Sequence, residues 1–257
     1  MIPQFDLDKI KFGVDEGTWK RAVEIYEAKK VTKFTNDFGG YSAVVLGTHP
    51  YSVSVSSQHY DRGNCDCYMG QQDILCKHMV AVAIYAILRG NPIKEEEKQQ
   101  FNQPKCSGKL GELTALDLIK TKKAITEAMR NVKAYSGPSR TWFAYQNSLS
   151  EGCNRLSKII CELPISLQTT TLLVDLLLRL DKRVCSGGVD DSDGTVGGLM
   201  TQTVEVLKDY AKLDPDCAKS FKKLCGVETC FGWEKPLVEI YNSKKFANLQ
   251  LNTKNPN

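Results

Sequence analysis

Apolar and polar positions fall into two regimes along the chain. Near the start, "VDEGTWKRAVEIYEAKK" places Trp19, Ala22, Val23 and Tyr26 at helical spacing, with acids early and lysines late, which predicts a helix over about 14–30. The next stretch, "VTKFTNDFGGYSAVVLGTHPYSVSVSS", alternates with period two, and "NDFGG" and "GTHP" are turn signals. Three strands are predicted, at about 31–36, 41–47 and 51–57. A short fourth strand comes next, and then "KHMVAVAIYAILRGNP", a helix apolar on almost every side that stops at Gly90 with Pro92 beyond. A helix without a polar face is a buried one. Residues 91–113 are polar, with scattered Pro and Gly, and read as a linker. From there the period is helical: about 114–133, 139–162, 165–184, 198–213 and 216–225, then a tail helix, with "LNTKNPN" frayed at the end. No fixed-period repeat is present.

One short stretch does not belong to either pattern. "CDCYMGQQDILCKH", residues 65–78, holds three of the ten cysteines and one of the three histidines. The spacing is Cys-x-Cys, eight residues, Cys-x-His. On a strand, residues two apart share a face, so Cys65 and Cys67 can aim both sulfurs at one point. Cys76 and His78 lie at the mouth of the following helix, whose partial positive charge favours thiolate over thiol. Three sulfurs and one nitrogen suit a tetrahedral Zn2+ ion, and four filled positions leave no room for a reactive water. The site therefore reads as structural. The unit over about 31–90, roughly 60 residues, is marginal on burial alone, and metal binding can add on the order of 10 kcal/mol to its folding. Two other readings of the same residues are a Cys65–Cys67 disulfide and a plain thiol core. His49 and His59 read as solvent-exposed, with His59 a distant substitute ligand.

Cys65, Cys67, Cys76 and His78, with "YSVSVSS" before them and "HMVAVAIYAIL" after, resemble the SWIM zinc finger. The resemblance spans about residues 12–90, and the ligand positions correspond one to one. Such fingers occur beside Swi/Snf-type helicases, in Mutator-type transposases, in ubiquitin-ligase-like proteins and in partners of RecA-like recombinase paralogues. The resemblance implies a module that binds nucleic acid or protein, and implies no activity. "GPSRTWFAYQNSLSEGCNRLS" and "GGVDDSDGTVGG" look like the helical tail of uncharacterised bacterial proteins with this finger, from which no function carries over.

The fold class expected is α+β: an N-terminal helix, a small antiparallel β meander and a zinc-bound helix over residues 1–90, then the 91–113 linker, then an all-α domain over 114–250. No run is long and apolar enough to span a membrane, and the N-terminus is not a secretory signal. A cytoplasmic location is expected, with cysteines that do not bind metal present as buried thiols.

Net charge is +4, but it is unevenly placed. Residues 1–90 are balanced, whereas residues 91–135 hold 9 Lys and Arg against 6 Asp and Glu, a net +3. Lys105, Lys109, Lys120, Lys122, Lys123, Arg130 and Lys133 are the candidate phosphate contacts for DNA or RNA; the plainer reading is a solvated helix face. Arg140, Trp142, Phe143 and Tyr145 could stack single-stranded bases, although such residues more often pin a helix into a core. The Asp190, Asp191 and Asp193 loop fails the calcium-loop pattern, since aligning on Gly194 puts Val189 first and Met200 twelfth. It reads as a glycine-rich loop capping the next helix. Cys106, Cys153, Cys161, Cys185, Cys217, Cys225 and Cys230 contain no Cys-x-x-Cys pair, which argues against a second zinc site. The function expected is a non-enzymatic, zinc-stabilised adaptor for nucleic acid or for a nucleic-acid-processing protein of helicase, recombinase or transposase type. The alternatives are a purely protein–protein adaptor and a carboxylate-dependent metal enzyme in the helical half.

Overall fold

A computed structural model describes residues 2–100, 102–138 and 142–243. Arg140, the side chain of Phe143 and the terminal segment "LNTKNPN" lie outside the described residues. The chain forms two compact units, Met1–Gln100 and Phe101–Asn257.

The first unit is α+β. Helix α1 (Leu7–Gly13) starts where the Asp6 carboxylate accepts the amide of Lys9 at 2.7 Å, and α2 (Glu16–Glu27) starts the same way, on Asp15 and the amide of Thr18. Four antiparallel strands come next in sequential order: β1 (Val31–Asp37), β2 (Gly40–Leu46), β3 (Pro50–Ser56) and β4 (Gly63–Cys65). The period-two pattern fixes which face is buried: Tyr41, Ala43 and Val45 of β2, and Val53 and Val55 of β3, point into the core. Against that face lies α3 (Lys77–Leu88), whose Val80, Val82, Ala83 and Ile84 are wholly buried. Helix α2 covers the other side of α3 with Trp19, Ala22, Val23 and Tyr26. Helix α3 ends with its apolar run at Leu88, two residues before the expected stop at Gly90, because Arg89 already takes the left-handed conformation and closes the last turn.

Inside the segment read as a linker, residues 91–98 are bound to this unit. Trp19 donates its indole N–H to the Lys98 carbonyl at 3.0 Å, and the Tyr26 hydroxyl donates to the Asn91 carbonyl at 2.7 Å. Two large aromatics can be buried here because this strap satisfies their polar ends. Ile93 is buried, and a short helix, α4 (Glu95–Lys98), completes the strap.

The second unit is helical: α5 (Ala115–Met129), α6 (Trp142–Glu162), α7 (Leu167–Cys185), α8 (Thr195–Leu213), a 3₁₀ stretch at Pro215–Leu224, and a final helix α9 over 235–243. Its core runs through Leu149, Leu156, Leu173, Leu177, Leu180, Val196, Leu207, Tyr210 and Phe221. Among the described residues no helix is long and apolar enough to cross a membrane.

Candidate metal centre

Cys65 is the last residue of β4, held opposite Val53 of β3. Two bonds hold the next step: Asp66 turns outward, and its carboxylate accepts the Ser52 amide at 3.0 Å while its own amide donates to the Ser52 carbonyl at 3.3 Å. With Asp66 facing out, Cys65 and Cys67 both face in, as their spacing predicts. Beyond Cys67 the chain makes a tight 3₁₀ turn at Gly70–Gln72. Gly70 is required there, since a Cβ at this position would lie 2.2 Å from the Cys65 carbonyl oxygen. The Gly70 amide points at the Cys67 sulfur, 3.4 Å away, and the Gln71 side chain donates to the Asp66 carbonyl at 2.9 Å. Cys76 is the residue that caps α3, and His78 sits in its first turn.

These elements bring the four side chains into one cluster. The donor atoms of Cys65, Cys67, Cys76 and His78 all lie within 4.8 Å of one another, and all four residues are buried. His78 presents Nδ1, 3.7 Å from the Cys65 sulfur and 3.9 Å from that of Cys76. A tetrahedral zinc with ordinary Zn–S and Zn–N bonds has sulfur–nitrogen edges of roughly 3.6 Å, so the donor set fits such an ion with little adjustment. The thiols are electrostatically unequal. A hydrogen bond from Cys65 holds the Cys76 thiol down to about 4, with His78 and the Met79 amide adding to the effect. The same interaction pushes Cys65 up, and burial pushes it further. Without a cation the pocket shares protons between sulfurs; a divalent cation replaces them.

The pattern of ligands does not show what surrounds them. The ring of Tyr51, on β3, is stacked on that of His78, and the ring of His49 lies tilted against Tyr51, 4.2 Å between ring centroids. His49 is exposed, as expected, and His59 is half-buried rather than exposed; neither is part of the cluster. The loop closed by the ligands turns three side chains outward: Tyr68 (74% exposed), Met69 (41%) and Ile74 (43%).

Residues 59–87 match the family model of the SWIM zinc finger. This segment is similar to a SWIM zinc finger. No curated protein matches the chain, and no solved structure does. The match covers β4, the metal loop and nearly all of α3, so every donor of the cluster lies within it.

The remaining candidates are in the second unit. On α5, Lys120 is paired with Asp117 at 3.7 Å and Lys123 with Glu127 at 3.9 Å, both well exposed; Lys122, Arg130 and Lys133 are exposed too. Lys105 and Lys109 are exposed on the segment before the helix, where the Lys109 carbonyl accepts the Ile165 amide at 2.7 Å. At 100° per residue, Leu116, Ile119, Lys120, Lys123, Glu127 and Arg130 form one stripe about 100° wide, with Lys122 outside it. Leu116 and Ile119 are 61% and 65% exposed, so the stripe is not purely basic.

The acidic loop caps α8. Asp191 accepts the amides of Val196 and Gly197 at 2.7 and 2.8 Å, and Asp193 accepts the amide and hydroxyl of Thr195. Asp190 accepts the indole of Trp142, and Tyr145, buried, accepts the Asp190 amide and donates to the Lys133 carbonyl. These two aromatics are thus bound into the fold.

The expectation that the other cysteines are buried thiols needs correction. Cys185, at the end of α7, and Cys230 are disulfide-bonded, with Cα atoms 5.8 Å apart. Both are exposed, and so is Cys225. With Asp181 they form the second donor group among the described residues.

Proposed function

We propose that the first unit is a non-catalytic, zinc-stabilised adaptor that contacts a partner protein through its metal loop. The observation that carries this reading is the outward presentation of Tyr68, Met69 and Ile74 on a loop fixed at both ends by metal donors. Exposed apolar side chains on a rigid loop lose little entropy on contact, which is what interface anchors require. Zinc is the ion proposed, because three thiolates and one imidazole in a closed tetrahedral set match its preferences. Four donors on one ion leave no position for a reacting water, which supports a structural role. Thiolate ligands suit a reducing compartment, and a cytoplasmic location is proposed on that ground.

A second reading has its own observation. The exposed cations Lys105, Lys109, Lys120, Lys122, Lys123, Arg130 and Lys133 would suit the phosphates of DNA or RNA, and the partner would then be nucleic acid or a protein bound to it. The intervening Leu116 and Ile119 favour a protein surface instead.

The two readings separate in one comparison. Wild-type protein and a Tyr68→Ser, Met69→Ser, Ile74→Ser variant are each used as bait, and labelled oligonucleotide binding is measured in parallel. The adaptor reading expects the variant to keep its metal and fold and to lose the proteins that the wild type retains. Equal retention by both would overturn it.

A further inference from the structure

We propose that Cys185 and Cys230 form an exchangeable cross-link, made and broken by small disulfides and thiols, that clamps the C-terminal part of the second unit to α7. Three observations carry this. First, the two Cα atoms are 5.8 Å apart, within the range a disulfide spans without backbone movement. Second, both cysteines are exposed, so a small thiol or disulfide can reach the sulfurs; exposed disulfides are the labile ones.

Third, the pairing is prepared without the covalent bond. Asp181 stands one turn before Cys185 on α7. Its Oδ1 accepts the backbone N–H of Cys230 at 3.1 Å and the indole N–H of Trp233 at 2.9 Å. The carboxylate therefore fixes the Cys230 loop over the end of α7 from both sides. Asp181 acts as a positioning residue: it sets the effective concentration of one thiol at the other. The segment after this loop belongs to the unit's core, since Trp233 and Leu237 are buried. The cross-link thus closes the chain around α8 and the 3₁₀ stretch, across a separation of 45 residues, and holds α9 in place.

The chemistry balances with a low-molecular-weight disulfide as oxidant. One cysteine thiolate attacks a sulfur of the small disulfide, forms a mixed disulfide and expels one small thiolate. The second cysteine loses its proton and attacks the protein sulfur of that mixed disulfide, expelling the second small thiolate. Two protein thiols give up two electrons and two protons, and the small disulfide becomes two thiols. Excess thiol runs the sequence backwards.

The test uses the full, zinc-loaded chain equilibrated in graded ratios of oxidised to reduced glutathione. Thiols are trapped with N-ethylmaleimide, and the protein is digested and mapped by mass spectrometry. The expected result is a peptide pair joined through Cys185 and Cys230, two hydrogens lighter than the reduced pair, whose yield rises with the ratio. Limited proteolysis should cut 225–243 faster in the reduced protein. Asp181→Ala should shift half-oxidation to a ratio higher by on the order of tenfold, while Cys225→Ser leaves it unchanged. Cys185 and Cys230 alkylated at every ratio, or joined to other cysteines, would overturn the proposal. So would zinc beyond one per chain that disappears in Cys230→Ser, since Asp181, Cys185 and Cys230 would then be ligands.

Discussion

The ring of Tyr51 lies face to face with that of His78, the centroids 4.3 Å apart and the planes inclined by 24°. His78 reaches the cluster through Nδ1, the nitrogen nearer its own backbone, so a small rotation about Cβ moves the donor off the vertex. Tyr51 blocks that rotation from the side of the sheet. Tyr51→Ala is therefore expected to weaken metal binding roughly tenfold, in the range typical of residues that orient ligands, and Tyr51→Phe to leave it unchanged. Competition with a chromophoric chelator measures both. Equal affinity in wild type and Tyr51→Ala would show that the stack is packing alone.

A second constraint is steric. With the Cys65 carbonyl 2.2 Å from where a Gly70 Cβ would sit, Gly70→Ala must move either β4, which ends on Cys65, or the turn, whose Gly70 amide lies 3.4 Å from the Cys67 sulfur. Overpacking of this kind costs roughly 1–3 kcal/mol, and here it also spoils the tetrahedron. The expected outcome is a lowered melting temperature of the first unit and partial loss of metal on dialysis. Met69→Ala, at an exposed neighbouring position, should do neither. A Gly70→Ala protein that retains full metal and full stability would refute the argument.

Much of this site is legible in the sequence because its determinants are local. Period-two alternation at Tyr41, Ala43 and Val45 places β2, and the same period puts Cys65 and Cys67 on one face. The all-apolar surface of α3 announces its burial. The features that stay hidden depend on contacts between distant positions. Residues 91–98 are polar and carry no periodicity, yet they supply the acceptors that Trp19 and Tyr26 need; the signal is in those two aromatics, not in the segment itself. Tyr51 reads from its spacing as an ordinary strand residue, and only the pairing of β3 with β4 brings it over His78. Cys185 and Cys230 are 45 residues apart with α8 between them, so no short motif joins them. Helix α1 escapes a periodicity reading because its apolar positions, Leu7, Ile10 and Phe12, span less than two turns, too short to establish a period.

Proton release on metal binding reflects the inequality of the thiols. Cys76, held down to about 4, is a thiolate in the folded, metal-free protein at neutral pH, whereas Cys65 is pushed up and keeps its proton. The sign for Cys76 is that of a lowered folded-state value. Its stabilising contribution is complete above the ordinary thiol range and is lost as pH falls through about 4. Zinc entering the folded site at pH 7 should therefore release fewer than three protons per metal. Calorimetry in buffers of different ionisation enthalpy counts them. Release of three protons would mean that Cys76 is protonated before the metal arrives.

The basic helix gives the last test, and its geometry decides which residues to change. Lys120, Lys123 and Arg130 share the exposed stripe of α5, whereas Lys122 lies about 110° from the stripe's centre, so a rigid duplex meeting the stripe would meet three cations there. Three phosphate contacts give a log–log salt slope near −3 and at best micromolar affinity. If nucleic acid binds here, Lys120→Glu, Lys123→Glu and Arg130→Glu together should abolish binding, while Lys122→Glu alone has little effect. Leu116→Ser with Ile119→Ser should leave oligonucleotide affinity unchanged, since duplex phosphates have no use for exposed aliphatic groups. A protein partner reverses that order: loss of Leu116 and Ile119 would then cost more than loss of any single lysine, because the apolar centre of an interface carries most of its energy. Fluorescence anisotropy with labelled oligonucleotides at two salt concentrations measures the first set, and retention of partner proteins by the same variants measures the second. No binding by wild-type protein at low salt removes the nucleic-acid reading of α5 and leaves its stripe to a protein partner.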